Sequence, residues 1–160
     1  MVRAIPAPQA EEIRAIVEPI SSFYALLARF PYIPASDILT PPADGWPESD
    51  VANFRKLGKT DFVVEILKHL PYIRTDGRDW RLGYDDTKAI TYVAVPGAWD
   101  GAALKLAALN DKAEPEYLWA NMIEPYWQRL PPHIVALTNG WQYGAWLLLD
   151  TKAGNRPSRS

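Results

Sequence analysis

Fifteen of the 160 residues are proline, set in ones and twos between apolar runs along most of the chain. Proline has no backbone N–H and fixes φ, so inside a helix or central strand it breaks the hydrogen-bond pattern. At about twice the usual share of roughly 5%, it acts as a series of hard stops. The chain is therefore expected to build many short elements. With 48% hydrophobic and 22% charged residues it can still bury a core, which excludes wholesale disorder. The length fits one domain better than two.

Read along the chain, residues 1–9 form a loose arm, 10–151 one domain and 152–160 a polar, basic tail. Ile13, Ile16, Val17, Ile20, Phe23, Tyr24, Leu27 and Phe30 recur at helical spacing. Pro19 inside that run predicts a kink, or two helices. Residues 31–47 hold five prolines and one glycine and read as an irregular crossing, pinned by Tyr32, Ile33, Ile38, Leu39 and Trp46. A short helix over 51–57 ends at Gly58. Thr60 then caps the clearest helix, with Phe62, Val63, Ile66, Leu67 and Leu70 on one side and Pro71 as its stop. Residues 80–82 and 89–95 read as strands. Short helices are expected after Asp100, over 115–123, over 125–130 and over 133–138, and a strand buried on both faces over 141–150.

Two segments echo each other. Leu27–Ile33 reads LARFPYI and Leu67–Ile73 reads LKHLPYI, with QRLPPHI (Gln128–Ile134) as a fainter third. Shared helix-stop chemistry explains this without a duplication: a cation in the last turn, a proline, then an apolar latch.

Charge and motifs remove several function classes. Seventeen basic and 19 acidic residues leave a net charge of -2, which argues against a broad nucleic-acid surface. The absence of cysteine eliminates disulfides, thiolate metal sites and thiol nucleophiles. No apolar run has the length of a membrane span, and no signal-peptide-like run precedes Glu11 and Glu12. A cytoplasmic protein without membrane contact is the expectation. Leu57–Thr60 (LGKT) has the ending of a phosphate loop but lacks its first glycine and preceding strand. Serine-nucleophile and zinc signatures are missing. His69 and His133 are too few for most metal sites, and Asp85-Asp86, with Asp76 and Asp79, fits turn chemistry better than a calcium loop. No cofactor or metal is expected.

The densest chemical feature is aromatic: Tyr117, Trp119, Tyr126, Trp127, Trp141 and Tyr143, with Trp146 close behind. Large amphipathic rings serve as a stacking platform or as core mass, and both readings stand. The six are the candidate binding residues; no catalytic residue is assigned. If the site instead held a small molecule, Asp79, Asp85, Asp86, Glu124 and His133 are the acid/base candidates around it.

Leu130–Gly140 (LPPHIVALTNG) and Tyr143–Gly154 (YGAWLLLDTKAG) resemble the SUKH superfamily in pairing Leu-Pro, a short apolar helix, Asn-Gly and a strand ending in Asp. Phe54–Ile73 resembles uncharacterised fungal proteins associated with that group. In SUKH domains the Leu-Pro helix lies near the start; here it lies near the end. The resemblance implies a protein-binding α+β scaffold without catalysis.

The expectation is thus an α+β domain with a small, mainly antiparallel sheet against several helices. Its expected role is a non-enzymatic adaptor whose partner is another protein, with a homodimer or a small-molecule site as alternatives.

Overall fold

The computed structural model describes residues 6–30, 32–47, 58–74, 80–83, 86–93, 122–123, 128–140 and 143–153. The fold is mixed α+β. Helix α1 spans Ala7–Arg29, starting inside the stretch read as an arm. Pro6 stands at the cap and Pro8 in the first turn, where a missing N–H costs nothing. Pro19 does not divide α1 into two helices. Pro19 and Ala15, whose carbonyl loses its partner, both lie on the exposed side, where water can take the carbonyl.

After α1 a 3₁₀ turn (Ala35–Asp37) leads into β1, Ile38–Leu39. Helix α2 covers Asp61–His69, with the Thr60 hydroxyl accepting the Val63 N–H at 3.3 Å. Its far end is closed from outside the helix. Trp46 donates its backbone N–H to the Lys68 carbonyl and its indole N–H to the Leu70 carbonyl, both at 2.8 Å. His69 Nδ1 donates to the Glu65 carbonyl at 2.8 Å. The Lys68 and Leu70 carbonyls, beyond the last intrahelical bond from Leu70 to Ile66, are each given a donor by Trp46, and His69 adds a second donor to the Glu65 carbonyl. Gly45, at φ +81°, makes this approach possible, because a Cβ there would lie 3.0 Å from the Lys68 carbonyl oxygen.

Strand β2 (Tyr72–Ile73) pairs antiparallel with β1, Ile38 opposite Ile73. The crossing of 31–47 is thus partly ordered into a ladder. The pinning residues hold it as expected: Ile33 is fully buried, and Ile38, Leu39 and Trp46 pack on the core, while Tyr32 stays exposed. The remaining strands are β3 (Lys88–Ala89), β4 (Met122–Ile123), β5 (Gln128–Arg129), β6 (Ile134–Ala136), β7 (Thr138–Asn139) and β8 (Leu148–Asp150). They pair antiparallel as β3–β7, β4–β5 and β6–β8.

The second half of the chain corrects the sequence reading. Within 133–138, Ile134–Ala136 and Thr138 are strand, and no helix forms. Pro131–Ile134 is a turn closed at 3.0 Å by Ile134 N–H on the Pro131 carbonyl. β-branched Ile134 and Val135 then suit the ladder with β8 better than a helical turn. The described parts of the helices read over 115–123 and 125–130 include the antiparallel pair β4–β5, with Met122 opposite Arg129; 115–121 and 124–127 lie outside the described residues. Residues 80–82 are not a strand; Leu82 N–H bonds once to the Thr87 carbonyl, at 2.7 Å. Among the described residues of the strand read over 89–95, a ladder forms only at Ala89, paired together with Lys88, with one further bond from Ile90 to the Leu137 carbonyl; 94–95 lie outside the described residues. Beyond it, side chains hold the chain: Thr91 Oγ1 donates to the Ile73 carbonyl at 2.6 Å and the Tyr92 hydroxyl to the Ala136 carbonyl. Among the described residues of 141–150, only Leu148–Asp150 is strand. The segment is not buried on both faces, since Leu147 and Leu148 are 54% and 40% exposed. The helices read at 51–57 and after Asp100 lie outside the described residues.

The main core joins Ile13 of α1, Val63, Val64, Ile66 and Leu67 of α2, Leu70, Tyr72, Ile90, Tyr92, Val93, Leu130, Val135 and Ala136. A smaller cluster of Tyr24, Ile33 and Ile73 sits under the C-terminal half of α1. The helices and the β6–β8 pair thus share one apolar interior, and this fixes how α1 lies over β8.

Candidate functional site

Helix α1 has two apolar sides. Ile13, Ile16, Val17, Ile20, Tyr24 and Leu27 face the core clusters. Phe23 and Phe30, read from the sequence as part of that face, do not: they are 42% and 66% exposed. With Leu26, 44% exposed, and the exposed Ala15 and Pro19, they form a file at positions 15, 19, 23, 26 and 30. Steps of four, four, three and four place all five on one side of the helix.

Toward its N-terminal end this file runs into a groove of about 310 Å³ between α1, α2 and β8. Glu12, Ala15 and Ile16 line it from α1, Phe62 from α2, and Leu149, Asp150 and Thr151 from the end of β8. The lining is mainly apolar and carries two carboxylates and no cation.

The β8 wall is tightly built. Asp150 Oδ1 accepts the backbone N–H groups of Lys152 at 2.9 Å and Ala153 at 3.2 Å. Thr151 donates both its N–H and its hydroxyl to the His133 carbonyl, at 3.1 and 2.9 Å. His133 Nε2 lies 3.8 Å from Asp150 Oδ1. The Lys152 N–H is the main influence holding the Asp150 carboxyl below its ordinary pKa. Burial, the second-largest influence, opposes it, and the Ala153 N–H and the charges of His133 and Lys152 add to the lowering. Asp150 is therefore an anion throughout the neutral range.

Of the six aromatic candidates, Tyr117, Trp119, Tyr126, Trp127 and Trp141 lie outside the described residues. Tyr143 is 69% exposed. Trp146 packs against the main core, with its indole N–H buried and without a hydrogen-bond acceptor among the described residues. Among the acid/base candidates, Asp79, Asp85 and Glu124 lie outside the described residues, Asp86 pairs with Arg81 at 3.2 Å, and His133 stands behind Asp150. Neither Asp86 nor His133 lines the groove. No group of three metal-binding side chains gathers among the described residues, and no helix there is long and apolar enough to cross a membrane.

Lys59 of the LGKT stretch turns inward. It is buried and donates to the Ile134 carbonyl at 2.6 Å and the Pro131 carbonyl at 3.4 Å. The Thr60 N–H donates to the Pro132 carbonyl at 3.1 Å. This pair ties the start of α2 to the turn before β6 instead of presenting donors to a phosphate.

The residues that the sequence reading missed are Glu12, Leu26, Leu149 and Asp150. Leu26 carried a signal: it is spaced three from Phe23 and four from Phe30. Glu12 and Asp150 carried none, because they are brought together only across the fold. Comparison of the chain with protein-family models, with curated proteins and with solved structures finds no match.

Proposed function

We propose that this chain is a non-enzymatic protein-interaction module that docks another protein along the open side of α1 and the groove beside β8. One observation carries the reading: Pro19, Phe23, Leu26 and Phe30 stand in file, exposed, on the helix whose other side supports both apolar clusters. Single exposed apolar residues are ordinary on a protein surface, but a continuous file is not. An exposed apolar helix side of this kind suits a partner segment laid against it. The resemblance to the SUKH superfamily points in the same direction. A small-molecule site in a cytoplasmic protein is the second reading. The groove volume lies at the lower end of ligand pockets, about 300 Å³, but neither of the described acid/base candidates lines it.

The test is capture by the tagged chain from lysate of its own source organism, beside a Phe23→Asp/Phe30→Asp variant. Both positions are exposed, so the variant is expected to melt like the parent. A captured protein, once purified, is expected to bind the parent directly and the variant at least tenfold more weakly. Equal binding by parent and variant overturns the reading. So does self-association of the parent, in sedimentation, that the variant loses.

A further inference from the structure

The groove points to a narrower partner chemistry, resting on the protein-interaction reading just given: we infer that its occupant is a segment of another protein carrying an apolar side chain next to Lys or Arg. The floor, formed by Ala15, Ile16, Phe62 and Leu149, offers nothing to a polar group, so the anchor is apolar. Glu12 on α1 and Asp150 at the end of β8 also line it, one on each wall. Asp150 stays ionised because backbone N–H groups are aimed at it. Lys152 and His133 both act on Asp150, but neither lines the groove. Arg14 lies 3.8 Å from Glu11, one step along the helix from Glu12. Glu18 adds a third carboxylate to the exposed surface of α1. A cation beside the anchor would thus meet carboxylates from two elements, whereas an acidic residue there would be repelled. This electrostatic preference selects among partners that satisfy the same apolar floor.

The probe is a nine-residue peptide amide with a central Leu between two Lys, together with its Lys→Glu and Leu→Ser forms. Each is titrated into the ¹⁵N-labelled full chain. The Lys-Leu-Lys peptide is expected to shift the amides of Ala15, Ile16, Phe62, Leu149 and Thr151. The Lys→Glu form is expected to bind at least tenfold more weakly, and the Leu→Ser form to shift nothing. Glu12→Lys, at an exposed helix position, is expected to remove the Lys-over-Glu preference, since Asp150 alone then faces the added cation, while leaving the melting curve in place. Equal binding of the Lys and Glu forms overturns the inference but leaves the protein-interaction reading standing. Shifts that map elsewhere, or no shifts at millimolar peptide, also overturn it. Groove amides that move with the protein's own concentration identify a second copy as the occupant and overturn both.

Discussion

Gly144 and Gly140 are placed by contact, not by backbone conformation. Gly144 N–H donates to the Gly140 carbonyl at 2.5 Å. A Cβ on Gly144 would lie 2.5 Å from the Thr87 backbone nitrogen and 2.6 Å from the Asp86 carbonyl carbon, neither of which is a movable side-chain end. The turn there also positions Ala145, whose N–H donates to Thr87 Oγ1 at 2.7 Å, and Leu147, whose N–H donates to Thr138 Oγ1 at 2.8 Å. Gly144→Ala is accordingly expected to destabilise the fold by about 1–3 kcal/mol, the usual cost of overpacking. Urea denaturation of the parent and the variant measures this; an unchanged midpoint would show that the turn can open without loss. At the same scale, LGKT shows how a motif fragment misleads. Its lysine serves the fold, bonded to two carbonyls, and its threonine is a helix cap.

At the scale of elements, the two echoed segments end their helices alike. Phe30 N–H bonds to the Leu26 carbonyl and Leu70 N–H to the Ile66 carbonyl. Ile33 and Ile73 then enter the same small cluster. Their tyrosines differ: Tyr72 is buried, with its hydroxyl on the Leu67 carbonyl at 2.6 Å, and Tyr32 is exposed. The third echo has no helix to end, since Gln128–Arg129 is a strand. Common stop chemistry therefore accounts for the first two segments, with a conserved latch at isoleucine alone. Helix α1 carries its own test. Pro19 sits mid-helix on the exposed side, where its cost to helix stability is of the order of 3 kcal/mol. Pro19→Ala restores the missing N–H to the Ala15 carbonyl, and thermal unfolding is expected to move upward. Lower stability would instead mean that the helix is bent to fit its packing at that point.

For the whole molecule, Tyr24, Tyr72 and Tyr92 are buried among the described residues, and this shapes its response to pH. Burial pushes Tyr24 up to about 12 and raises Tyr92 further. Burial also raises Tyr72, with Tyr92 and Tyr24 adding to it. The folded state therefore holds these protons when the unfolded chain has released them near pH 10. Stability contributed by the neutral rings is intact below pH 10 and falls as pH rises above it, by about 1.4 kcal/mol per pH unit for each such tyrosine. Tyr24→Phe is expected to remove one proton's worth of this slope between pH 10 and 12. Urea midpoints across that range test it; an unchanged slope would mean that Tyr24 ionises without unfolding.

The sequence alone determined the features that depend on neighbours in the chain. It specified the cap of α2 and its stop before Pro71, most of the inward periodicity of α1 and the mixed α+β class, because propensity, capping and steric exclusion act over three or four residues. The tertiary structure decided which way ambiguous segments went. Residues 133–138 have apolar spacing compatible with a helix, yet Ile134–Ala136 is strand because β8, more than ten residues later, supplies the ladder. It also decided which aromatic residues of α1 reach solvent: Tyr24 and Phe23 are adjacent, and only the position of the Ile33–Ile73 cluster sends one inward and the other out. The groove belongs wholly to this second class. Glu12 and Asp150 are separated by most of the chain, and no local rule relates them; the shared core of α1, α2 and the β6–β8 pair brings them to one place.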